Sequence, residues 1–252
     1  MTRRGLTNII LFTTVVILAV AGCGRDTATL DYAPFPVDPV VFIDDFGPGV
    51  QYHAFEWSDV EALDIDWDFG YQSDASLVIS VPDPNAVNGG FAGGAFVAGS
   101  PRDFTSFNAL TFYARASRPE TFDVVGLAND NSGTSKYEAT RSNIELTTSW
   151  QKYIVPIPRP AKLGAERGLF FYADSVHPDS SGYTAWFDEV QFEYVADISN
   201  PRPSMTTETI KSFVGANVQV HDTKVVFNVR EEDVTVDHLP GYFSYFSSDN
   251  AI

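Results

Sequence analysis

Cysteine is almost absent from this chain of 252 residues: Cys23 is the only one. It excludes an internal disulfide, a thiolate metal cluster and a cysteine nucleophile paired with a second thiol, so stability must come from packing. Basic residues are scarce as well. Against 33 Asp and Glu stand 16 Lys and Arg, a net charge of −17. Without clustered cations the chain offers no counterion-releasing surface for a phosphate backbone, and nucleic acid is excluded as a partner. Long amphipathic helical patterns are missing beyond the N-terminal segment, as are a zinc-binding His pair, a Gly-x-Ser-x-Gly elbow and a glycine-opened helix for phosphates. Ser149 and Lys152 match a Ser-x-x-Lys spacing but sit in a strand-like block without the companion motifs. The sequence therefore reads as a non-enzyme.

What is present starts at the N-terminus. Arg3 and Arg4, an apolar run from Ile9 to Ala21, and then Val20-Ala21-Gly22-Cys23 follow one another. A basic end, an apolar stretch too short to span a bilayer and small residues at a cleavage point describe an export signal. The last four residues resemble the lipobox of bacterial lipoproteins. That resemblance implies a signal peptide over 1–22, lipidation of Cys23 and attachment to a membrane through the lipid. Gly24 in place of Asp points, by analogy with lipoprotein sorting, to the outer membrane or cell surface. Residues 23–39, with Pro34, Pro36 and Pro39, read as a tether.

From Val40 onward, short runs rich in Val, Ile, Phe, Tyr and Thr are separated by Gly, Pro, Asn, Asp and Ser: 41–46, 75–81, 91–97, 109–116, 121–128, 136–146, 150–157, 168–173 and 184–194. Period-two alternation within them, as in Leu110, Phe112 and Ala114 against Thr111, Tyr113 and Arg115, predicts an all-β sandwich. Asn200-Pro201-Arg202-Pro203-Ser204 breaks the pattern, and 196–207 reads as a linker before further β structure at 208–252.

Four blocks carry a family likeness: Phe42-Ile43-Asp44-Asp45-Phe46, Asp103 to Arg115, Thr148 to Ile157, and Trp186 to Phe192. In order and spacing they resemble carbohydrate-binding modules of jelly-roll, galactose-binding-like fold, nearest to the family that binds mixed-linkage β-glucans. The resemblance implies a jelly-roll module over 40–195, a polysaccharide ligand, and a glycoside hydrolase as a downstream or separate partner. Residues 208–252 resemble the opening strands of a bacterial immunoglobulin-like domain, with Ser247 to Ile252 matching a block before its final strands, which implies a partial domain. A structural or adhesive stalk, or an accessory region of a truncated hydrolase, remains the alternative function.

Sugar recognition in water takes flat aromatic rings for C–H surfaces and planar polar groups for hydroxyls. Tyr113 and Arg115 share the face opposite the core set, and Tyr137, Tyr153 and Tyr172 sit at comparable mid-strand positions. Trp57 and Trp67, with Tyr71, lie in the first long loop region as a second platform. The family resemblance also implies a structural calcium, for which Asp44, Asp45 and Asp188 stand at the matching positions. Asp64, Asp66 and Asp68 imitate an EF-hand start, but Phe69 replaces the required Gly and Ala75 the closing Glu, so that loop is rejected.

Overall fold

The computed structural model describes residues 32–87, 89–177, 179–213 and 215–246. The stretch expected to be a signal peptide, Cys23, most of the expected tether, Val214 and the 247–252 block lie outside them. Strands in chain order are β1 (Val40–Ile43), β2 (Asp45–Phe46), β3 (Val50–Ala54), β4 (Leu63–Asp66), β5 (Ser76–Val81), β6 (Ala92–Arg102), β7 (Ala109–Ala116) and β8 (Glu120–Leu127). They continue with β9 (Ala139–Leu146), β10 (Gln151–Pro156), β11 (Glu166–Asp174), β12 (Tyr183–Glu193), β13 (Ile198–Ser204), β14 (Lys224–Val229) and β15 (Glu232–His238). The fold is all-β, a jelly-roll sandwich of two antiparallel sheets. One runs β10-β7-β12-β1-β2, with β5 also on β12 and β4 on β5; the other runs β13-β14-β15-β9-β8-β11-β6-β3.

Alternation builds the core as the pattern predicts. Leu110, Phe112, Ala114 and Ala116 of β7 are fully buried, while Tyr113 and Arg115 turn to the other face. Phe42, Phe96, Phe122, Phe170 and Phe187 meet them between the sheets. Each such ring contributes on the order of 1.5–3 kcal/mol by leaving water, which is how a chain without disulfides holds together. The entry into the sandwich is fixed by Arg102, whose guanidinium donates to the carbonyls of Asp38 (3.0 Å), Val40 (2.7 Å) and Pro48 (2.7 Å).

Two expected boundaries are corrected. The tether does not reach residue 39: the Pro36 carbonyl accepts from Asp103 N and the Pro39 carbonyl from Phe192 N, so these residues dock on the sandwich. Nor is 196–207 a linker, because Ile198–Ser204 forms β13, paired with β14. Pro201 and Pro203 are compatible with a strand there because β13 is an edge, where a missing N–H breaks no ladder on the free side. The segment expected as a separate immunoglobulin-like domain continues the second sheet: β14 pairs with β15, and β15 joins β9 through Asp237↔Thr140 and His238↔Ala139. Val225, Phe227, Val234 and Val236 belong to the same core as the sandwich.

Candidate functional site

The outer face of the first sheet is where aromatic side chains gather. Register places Lys152 of β10, Tyr113 of β7 and Asp188 of β12 in one row, and Arg115 beside Trp186 in the next. Over these rows lies the β4–β5 loop, residues 67–75. Tyr71 stacks on Tyr113 with ring centroids 3.6 Å apart at 13°. Phe69 stacks on Trp150 (5.8 Å) and meets Trp186 edge-on (5.6 Å). The Arg115 guanidinium lies 5.0 Å from the Phe69 centroid and 5.5 Å from that of Trp186. Lys152 pairs with Glu193 at 2.7 Å and stands 5.8 Å from the Tyr113 ring. Such stacked and edge-on pairs each add about 0.5–1.5 kcal/mol beyond the area they bury. The Tyr71 side chain first, and then burial, push Tyr113 up to about 12, so its phenol stays neutral at any physiological pH.

Polar contacts hold the same loop. The buried Asp188 carboxylate accepts from Tyr71 N (2.6 Å) and Ser73 Oγ (3.0 Å) on one oxygen and Glu189 N (2.6 Å) on the other. Asp44 Oδ1 accepts from Ala75 N at 3.3 Å, and Ser76 Oγ donates to the Phe69 carbonyl. Asp44 and Glu189 both adopt left-handed backbone, with φ of 55° and 45°. The local sequence makes the loop possible at Gly70, where a Cβ would run into Ser73 Oγ and the Ala75 carbonyl. The result is a loop held at several points between Phe69 and Ala75, with Trp67 62% exposed at its start.

The expected site residues divide. Tyr113 and Arg115 come together with this loop, although Tyr71 covers one face of Tyr113; Trp67 stands exposed at the loop's first position. Trp57 is 83% exposed in the β3–β4 loop at φ 71°. Tyr172, Tyr153 and Tyr137 do not join them. Tyr172 is fully buried and its hydroxyl bonds that of Tyr52 at 2.9 Å. On β11 it shares the inward parity of Phe170, two residues before it. Tyr153 pairs with Phe112 and stacks on it from the core side, its hydroxyl donating to the Glu145 carbonyl at 2.6 Å. Tyr137 packs against Tyr242 and accepts its hydroxyl on the backbone carbonyl. Phe69, Trp150 and Trp186 were missed as members of the array. Trp186 alternates with the core residues Ala185 and Phe187, and that signal was available; Phe69 depends on a loop path no periodicity reveals.

Of the three aspartates, Asp44 and Asp188 converge on the 71–75 loop, while Asp45 turns its carboxylate to Phe46 N. Burial, and then the charge of Asp44, raises Asp188 above the ordinary carboxylate range, and Glu189 is raised by burial and by Asp188. Two carboxylates under mutual repulsion are the donor chemistry a hard cation takes. Among the described residues no group of three or more His, Cys, Asp or Glu forms a metal cluster, so a cation here would need backbone carbonyls to complete its shell.

No protein-family model and no curated protein matches the chain. Among solved structures, a family 30 carbohydrate-binding module is similar at 16% identity over 73% of this chain and 94% of the module, with a TM-score of 0.39. A family 11 module from Clostridium thermocellum, in complex with a β-1,3-1,4-mixed-linked tetrasaccharide, is 11% identical over 63% and 96%, with a TM-score of 0.40. An exo-β-agarase is 12% identical over 65% of this chain and 25% of its own, with a TM-score of 0.42.

Proposed function

We propose that the chain binds a polysaccharide without cleaving it, through Trp67 and the aromatic face around Tyr71 and Tyr113. One observation carries this reading: an exposed tryptophan opens a loop whose following residues are tied down by stacking and by carboxylate bonds. A preformed flat apolar surface saves the ordering that a mobile loop would lose on binding. Arg115, Lys152 and Gln191 lie on the same sheet face and supply planar or cationic donors for hydroxyls. The test is titration of the full chain with soluble β-glucan, xylan and mannan. Binding to at least one is expected, with Trp67→Ala weakening it tenfold or more, about 1.4 kcal/mol, and Tyr172→Phe leaving it unchanged. Absence of binding to every glycan, with calcium and without, would overturn the reading.

Calcium is proposed at Asp44 and Asp188, where it would lock the same loop; Asp45 takes no part. Cys23, outside the described residues, is proposed to carry a lipid that holds the protein on the outer membrane or cell surface, two or more acyl chains being needed for durable anchoring. Cys23→Ala is expected to move the protein from the membrane fraction to the soluble one; equal partitioning of both forms would remove the anchor.

A further inference from the structure

A second concave region lies away from the aromatic face, at the seam where the β14–β15 hairpin meets β9 and the β10 edge. It is a cleft of about 440 Å³, inside the range of roughly 300–1,000 Å³ typical of ligand clefts. Its lining includes Arg141, Gln151, Lys152, Tyr153, Arg230 and Glu232. Two guanidinium groups, those of Arg141 and Arg230, therefore line one groove with the acids Glu145 and Glu232, in a chain of net charge −17.

The two arginines are not equivalent, and Lys152 turns its ammonium away to Glu193 on the aromatic face. Arg230 lies at the exposed rim, 3.8 Å from Asp197. Arg141 is half-buried and donates from one guanidinium nitrogen to the Ile154 carbonyl at 3.1 Å, on the free edge of β10. Among the described residues it makes no ion pair. Of the acids in the groove, Glu145 accepts from Thr121 Oγ1 at 2.8 Å, while Glu232 acts on Arg141 through space without closing on it. A partly desolvated guanidinium with free donors matches a carboxylate, which can take two parallel N–H bonds from it.

We propose that this seam is a separate glycan site selective for a sugar that carries a carboxylate, a uronic acid unit, with Arg141 receiving the carboxylate and Arg230 reinforcing it from the rim. Gln151 and Glu232 then serve the ring hydroxyls. The site does not depend on Trp67. Its two walls come from the sandwich and from the hairpin that the fold adds to the second sheet.

Calorimetric titration of the full chain with oligogalacturonates, their methyl esters and a neutral oligosaccharide tests it. The acid form is expected to bind and the ester not to bind. Arg141→Gln should weaken the acid form tenfold or more and Arg230→Gln about threefold, with affinity falling as salt rises, while Trp67→Ala leaves all of this intact. Arg141→Lys keeps the charge but not the fork, and serves where Arg141→Gln does not fold. No binding of the acid form, equal binding of the ester, or indifference to both arginine substitutions would overturn the proposal, whatever Trp67→Ala does to neutral glycans.

Discussion

Asp174 is a buried carboxyl whose Oδ2 accepts from the Tyr183 hydroxyl and whose Oδ1 accepts from Asp123 N. Burial raises it to about 6, and burial likewise raises Glu166 to about 7. In the unfolded chain both would release their protons near 4, so between about pH 4 and 7 the folded state holds more protons than the unfolded one. Stability is then greatest at the acid side of that window and falls as pH rises across it, the loss for Asp174 being about 3 kcal/mol at most and nearly complete by about pH 6, that for Glu166 by about pH 7. Thermal melts are expected to show a higher Tm at pH 5 than at pH 7.5, and Asp174→Asn should flatten part of the slope. A Tm that rises from pH 5 to 7.5 would contradict the assignment. None of this was legible in the sequence, where Asp174 is one acid among 33; what distinguishes it is a strand position that turns it inward.

Elements were more readable where alternation was long and apolar. β5 to β12 emerged from the pattern nearly in place, because they are long runs of apolar and β-branched residues bounded by turn formers, with Leu, Ile, Phe and Ala inward. β3, β4, β13 and β15 did not: they are short or carry charges on the free face, as Glu232, Asp233 and Asp237 do in β15, and β13 contains two prolines. The clamped loop between β4 and β5 was likewise invisible, since Asp188 reaches it across 117 residues. Asp188→Asn replaces an acceptor with a donor opposite N–H groups, at a cost of about 1–3 kcal/mol. It is expected to lower the Tm by several degrees and to weaken glycan binding, whereas Asp45→Asn does neither. Added calcium should raise the Tm of the unaltered chain and not of Asp188→Asn. A chelator without effect on the unaltered chain would remove the ion and leave the clamp.

At the scale of the whole molecule, the second sheet is wider than a self-contained jelly roll followed by a separate module would require. Ending the chain at Ala196 removes β13 to β15 and with them Val225, Phe227, Val234, Val236 and Tyr242 from the common core. A loss of that size is expected to lower the Tm by at least about 5 °C, since 1 kcal/mol corresponds to about 2–4 °C in a domain of this length. The full chain should melt in one transition. If the shortened chain melts at the same temperature, the last three strands fold as a unit of their own.

The prolines of β13 bear on how such molecules live side by side. An outermost strand with a complete row of donors invites a neighbouring copy to zip onto it. Pro201 and Pro203 leave gaps in that row, so crowded copies slide past one another instead of knitting into a continuous ribbon.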